Sequence, residues 1–288
     1  VMGLVQPRSR YAPEAAADPP ERVAALPMYD LPELADANDA LWAGLAERLR
    51  ARGVAGVPAA LTRGRATHAL WTDPSLLLAQ TCGYPLVTAL HGQVKVVSTP
   101  RYRARGCEGP FYRSAVVVRA ADTAANLADL RGGRCALNEP TSNSGMNLLR
   151  AEIAPLAGRG HFFSAVQITG SHLASAEAVA EGRAEVAAID CVTFAQLQRF
   201  RPALTRQLKV LSWTVRSPGL PLVTAKQTGR AVENALHAAI ADIAVAPELR
   251  EARAELLLDG FNTLSPAHYR AVLYLEQIAA DQGYPHLV

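Results

Sequence analysis

From residue 134 to residue 199 the chain alternates between short apolar runs and helix-spaced segments, and a small polar cluster stands at each changeover. The apolar runs cover 134–138, 161–169 and 184–189, and the segments between and after them, 144–156, 174–181 and 192–199, read as helices. A β-α-β-α-β order of this kind predicts a parallel sheet with right-handed crossovers. Such a sheet brings Ser142-Asn143-Ser144, Gly170-Ser171-His172 and Asp190 to a single edge, where open α/β sheets hold ligands.

The chemistry of those changeovers points to an anion. Backbone N–H groups in the first turn of a helix lack intrahelical acceptors, and the macrodipole adds partial positive charge, so an oxyanion is favoured there without any lysine. Ser142, Asn143 and Ser144 add side-chain donors, and Gly145 lets the backbone approach closely. Each cluster also has a plainer reading. Ser and Asn before a helix serve as N-caps, His172 as a hydrogen-bond partner at a helix start, and Asp190 as the cap of 192–199. Two helix starts and a carboxylate converging at one edge favour a binding site over three independent caps.

The rest of the chain supplies the frame. A strand over 22–27 ends near Tyr29, and a helix over 34–52 carries Leu41, Trp42, Leu45 and Leu49 on one face. A second strand is expected over 54–57, a short helix opening at Asp73-Pro74, and a glycine turn over 81–86 that leaves Tyr84 at a strand edge, as a pocket wall or a packed aromatic. Strands are expected over 94–98, 114–119, 209–214 and 222–224, and helices over 229–245, 247–258 and 266–282. Residues 1–21 read as a mobile lead-in. They lack a sustained apolar core, so the residues alone leave open a cytoplasmic chain or one whose secretion signal has been removed or replaced.

A chain of 288 residues fits one large α/β domain or two lobes. Its 50% hydrophobic and 19% charged composition is globular, and no apolar run reaches the roughly 18 residues of a membrane span. The net charge of +3 is spread thinly, with lysines only at 95, 209 and 226, so no footprint for nucleic acid is visible. Cys82, Cys107, Cys135 and Cys191 form no Cys-x-x-Cys pair, which argues against a zinc site. A Cys82–Cys107 disulfide is open only if the fold brings the two together. No metal cluster, cofactor fingerprint, Ser/His/Asp order or activated lysine stands out, although His172, Asp190 and Tyr29 in one cleft are capable of acid–base work.

Several stretches together resemble the phosphate/phosphite/phosphonate-binding proteins of ABC transporters. They are Leu26-Pro27-Met28-Tyr29, Gln80-Thr81-Cys82-Gly83-Tyr84-Pro85, Tyr-Arg-Ser-Ala-Val-Val-Val from 112, the run 127–138, Ser142-Asn143-Ser144-Gly145, Thr169-Gly170-Ser171-His172 and Gly-Leu-Pro-Leu-Val-Thr from 219. The resemblance implies a type II periplasmic-binding-protein fold. Two α/β lobes, 22–111 with 211–288 and 112–210, would enclose a ligand cleft between them. It matches that family's Ser-Thr-Ser phosphonate loop to Ser142-Asn143-Ser144, with Asn143 in place of threonine, and its Gly-Ser-His to Gly170-Ser171-His172. Asp190 matches one of the carboxylates that hold an ammonium in aminophosphonate binders, but no second acid stands near Ser217-Pro218. The resemblance therefore implies a ligand set of Tyr29, Tyr84, Ser142, Asn143, Ser144, Ser171, His172 and Asp190 around phosphate, phosphite or an alkylphosphonate. It also implies a periplasmic location, an ABC permease as partner, and no catalysis, cofactor or metal. A cytoplasmic ligand sensor and an enzyme on the same scaffold are the alternatives.

Overall fold

The computed structural model describes residues 20–158 and 160–288, so all but the last two residues of the expected lead-in lie outside the described residues. Along the chain β1 (Val23–Ala25) leads to α1 (Ala35–Ala51), α2 (Thr67–Trp71), β2 (Leu76–Gln80), α3 (Gly83–Val87) and β3 (Val94–Tyr102). The chain crosses through β4 (Phe111–Tyr112) into β5 (Ser114–Arg119), β6 (Arg134–Leu137), α4 (Leu148–Ala157), β7 (Ala165–Ile168) and α5 (His172–Ala180). β8 (Val186–Asp190), α6 (Cys191–Phe200), α7 (Pro202–Thr205) and β9 (Leu208–Trp213) follow. It returns through β10 (Ser217–Pro218) to β11 (Leu222–Ala225), α8 (Arg230–Val245), α9 (Arg250–Glu255), β12 (Leu258–Asn262) and α10 (Pro266–Asp281).

Two mixed sheets result, one of order β1-β2-β11-β3-β12 and one of order β7-β6-β8-β5-β9. β6 runs parallel to both β7 and β8, as the alternating pattern predicts. Each sheet has apolar clusters of its own. Leu41, Trp42, Leu45 and Leu49 of α1 pack with Leu236 and Ile240 of α8 in the first lobe, and Val116, Leu149, Ile153 and Phe162 pack in the second. β4 and β10 pair antiparallel, Ser217 opposite Tyr112, so the two crossing segments lie side by side between the lobes.

Four expectations need correction. Residues 54–57 form a turn rather than a strand. The short helix precedes Asp73-Pro74 instead of following it, and 76–80 is a strand buried on both faces, whose unbroken apolar run lacks the alternation that marks a half-exposed strand. β12 pairs with β3 where the reading placed the end of the helix over 247–258 and no strand. Finally, β9 pairs with β5 along its whole length, from Leu208 opposite Arg119 to Trp213 opposite Ala115, so a division after residue 210 falls inside a strand of the second lobe.

Candidate functional site

The first polar turn leaves β6 and enters α4 through a wide π-type turn at Asn143–Asn147. Ser142 caps it, its Oγ accepting from the Gly145 N–H at 2.9 Å. The turn lies close against the Asn138 side chain: a Cβ on Gly145 would lie 1.8 Å from Asn138 Oδ1 and would displace that amide. Ser114 Oγ donates to the Ser144 carbonyl at 2.9 Å and fixes the turn to β5 from below. A π-type turn at a helix entry is a frequent mark of a functional site.

The second turn closes on the first. Ser171 caps α5 by accepting from the Ala174 N–H at 3.0 Å, and His172 Nε2 lies 2.8 Å from Ser144 Oγ. Burial holds the His172 imidazole down to about 4, against an opposing effect of the Ala188 carbonyl, so the ring is neutral at physiological pH. Its Nδ1 is buried without a hydrogen-bond partner.

Asp190 ends β8 and caps α6. Its Oδ1 accepts from the N–H groups of Val192 at 2.8 Å and Thr193 at 3.1 Å, and its Oδ2 accepts from the Tyr29 hydroxyl at 3.0 Å. The last bond crosses from one lobe to the other. Burial raises the Asp190 carboxyl to about 6, although these three donors favour the carboxylate. Burial, followed by the charge of Asp190, also keeps the Tyr29 hydroxyl firmly protonated.

These groups border a cleft of about 660 Å³. Tyr29, Ser142, Ser144, Ser171, His172 and Asp190 all line it, and no Lys or Arg does. The facing wall carries Met28, Leu31, Trp71, Pro85 and Ala89.

Two expected site residues are placed differently. The Asn143 amide is fully buried and donates to Tyr112 Oη at 3.0 Å and Ser217 Oγ at 2.9 Å, so it ties the turn to both crossing strands and has no donor left for the cleft. Tyr84 sits in α3, not at a strand edge, and its hydroxyl donates to Glu276 Oε1 at 2.7 Å, away from the cleft lining. The condition set for a Cys82–Cys107 disulfide, that the fold bring the two together, is not met. Cys82 Sγ accepts from the Asn143 N–H at 3.3 Å, and Cys107 lies against Cys191 instead.

Of the lining residues that the reading of the sequence did not name, Gln196 is the deepest. Gln196 is fully buried, lines the cleft, and neither amide atom has a partner. Its signal was present, since Asp190, Thr193 and Gln196 recur at three-residue spacing on one helix and share a face. Among the described residues no group of His, Cys, Asp and Glu is arranged to hold a metal, and no helix is long and apolar enough to cross a membrane.

Residues 23–269 match a family model described as ABC transporter, phosphonate, periplasmic substrate-binding protein. No curated protein matches the chain. Among solved structures, a binding protein component of an ABC phosphonate transporter from Pseudomonas aeruginosa superposes with a TM-score of 0.72 at 18% identity, covering 92% of this chain and 88% of that one. PhnD1 from Prochlorococcus marinus, in complex with methylphosphonate, gives a TM-score of 0.72 at 14% identity, covering 90% and 98%. XAC2383 from Xanthomonas citri, bound to ATP, gives 0.69 at 17% identity, covering 93% and 99%. At these identities the structural likenesses show the fold: a two-lobed α/β architecture of the periplasmic-binding-protein kind.

Proposed function

The chain belongs to the family of periplasmic phosphonate substrate-binding proteins of ABC transporters, and from that premise we propose that its cleft captures a small tetrahedral oxyanion for delivery to a membrane permease. It is a transporter binding protein and not an enzyme. The ligand class is phosphate, phosphite or a simple alkylphosphonate. The observation that carries the reading is the 2.8 Å contact of Ser144 with His172, which joins two helix starts at one point of a cleft lined by no Lys or Arg. Dipoles and neutral donors there do the work usually given to lysine or arginine.

In the proposed complex neutral His172, with its proton on Nε2, donates to Ser144 Oγ, and the Ser144 hydroxyl donates to the anion. The Ser144 N–H, the one donor of the 142–145 turn not already paired, and the N–H groups that open α5 complete the cradle, and the Gln196 amide meets an oxygen or a polar substituent. Asp190 selects for a ligand oxygen that still bears a proton, because only such an oxygen can donate to a carboxylate. Fully ionised sulfate leaves the two charges facing each other. An ammonium is not obligatory. Ser217, where a second acid would stand, accepts from Asn143, and Asp30 on the cleft wall is paired with Arg63 at 2.7 Å.

Isothermal titration with phosphite, methylphosphonate, aminoethylphosphonate and sulfate tests this reading. Phosphite or methylphosphonate is expected to bind most tightly and sulfate most weakly. Tight sulfate binding would remove the role given to Asp190. Neighbouring genes for a permease and an ATPase are expected, and their absence would favour a ligand sensor over a transport receptor.

A further inference from the structure

The loop between β3 and β4 carries Cys107, and the first residue of α6 is Cys191, 84 positions later and directly after Asp190. Their Sγ atoms lie 3.4 Å apart, a contact from which a small side-chain rotation reaches bonding distance. The loop is built to hold this approach. Gly106 takes a φ of +104°, and a Cβ there would lie 2.9 Å from Cys191 Cβ and 2.7 Å from the Trp213 ring, so glycine alone lets the loop settle. The Arg105 guanidinium stacks 5.5 Å above the centre of the Trp213 ring, and the Cys107 N–H donates to the Ala104 carbonyl at 3.0 Å. Glu108 on the same loop pairs with Arg216 on the other crossing segment at 3.3 Å.

We propose that Cys107 and Cys191 form a disulfide that staples the outgoing crossing segment to the second lobe beside the binding carboxylate, leaving Cys82 and Cys135 as free thiols. Disulfides persist in oxidising compartments such as the periplasm. The reaction begins at Cys107, which is partly exposed, whereas Cys191 is buried. Contact with Cys107, then burial and the charge of Asp190, keep the Cys191 thiol protonated. The Cys107 thiolate attacks a sulfur of a small or protein disulfide donor and expels one donor thiol. Cys191 then loses its proton, attacks Cys107 Sγ in the mixed disulfide and expels the second donor thiol. Two electrons and two protons pass to the donor.

The test incubates the full chain with oxidised glutathione, then denatures it and alkylates it with N-ethylmaleimide. Two alkylated cysteines, Cys82 and Cys135, and a Cys107–Cys191 cross-linked peptide after digestion are expected, with four alkylated cysteines after reduction. On reduction the melting temperature of the oxidised protein is expected to fall by about 5–10 °C, as for a staple closing a long loop in a chain of this size. Cys107→Ser, a near-isosteric change, is expected to melt at one temperature with or without reductant. Four alkylated cysteines after oxidation, or a cross-link of Cys107 to Cys82, would overturn the proposal, as would a parent protein whose melting ignores reductant. Neither readout uses a ligand, so the outcome is independent of the oxyanion assignment.

Discussion

The two walls of the cleft are built from different materials. The second lobe offers two capped helix starts, hydroxyls, a neutral imidazole and a buried carboxyl, each held by hydrogen bonds to groups of the same lobe. The first lobe offers mainly apolar and aromatic surface, with the Tyr29 hydroxyl as its reach across to Asp190. In the proposed function the contrast separates two tasks. One wall fixes the anion through pre-aimed dipoles that need no rearrangement, and the other covers it, excludes water and thereby strengthens those dipoles. Affinity should then be concentrated in one lobe, while the other contributes smaller, additive amounts.

The most severe way to challenge that contrast is Gly145→Ala. The added Cβ would meet Asn138 Oδ1 at 1.8 Å, so the Asn138 side chain must swing into the cleft or the turn must shift, and titration is expected to show loss of binding by about a hundredfold as the Ser144 donors lose their aim. Unchanged affinity would mean the turn does not hold the ligand.

Next comes the titration of the two buried groups of the polar wall. The folded state favours the protonated Asp190 carboxyl, whose value moves from 3.8 to about 6, so its contribution to stability is complete below pH 3.8 and is lost as pH rises through 6. His172 moves from 6.5 to about 4, so its contribution is complete above pH 6.5 and is lost as pH falls through 4. Between pH 4 and 6.5 the two trends oppose each other. Asp190→Asn retains the α6 cap but removes the first trend, and relative to the parent it is expected to gain up to about 3 kcal/mol between pH 4 and pH 7. Urea denaturation of both ligand-free proteins at the two pH values measures this, and a constant difference would contradict the burial of Asp190.

The smallest effects sharpen the comparison directly. Ser144→Ala removes one hydroxyl aimed at an anion and is expected to cost about 2 kcal/mol of binding, roughly thirtyfold. Met28→Ala, on the covering wall, removes only apolar contact and is expected to cost about 1 kcal/mol or less, about fivefold. Equal losses in the two variants would erase the distinction between the walls.

How much of this was legible in the chain follows the same division. The second lobe is announced locally, because Ser142, Ser171 and Asp190 each cap the helix that follows, and capping residues next to an apolar run are visible within a short window. The first lobe depends on long-range pairing. β2 is flanked by β1 and β11, so it is apolar on both faces and gives no alternation, and β12 owes its strand form to β3, far away in the chain. Asn143 illustrates a second limit. The sequence shows an amide next to two hydroxyls, and only the fold turns it inward to Tyr112 and Ser217. The same holds for Cys107, whose neighbour is set by the path of two loops rather than by spacing.

α10 packs against α3 of the first lobe and α4 of the second. Tyr269 holds its near end to Thr99 at 2.7 Å and to the Gly219 carbonyl at 3.1 Å, and Asn147 donates to the Val272 carbonyl at 3.0 Å. A helix fastened to both halves shares its contacts between them, so any change in the spacing of the two lobes has to carry α10 along or break its bonds at one end.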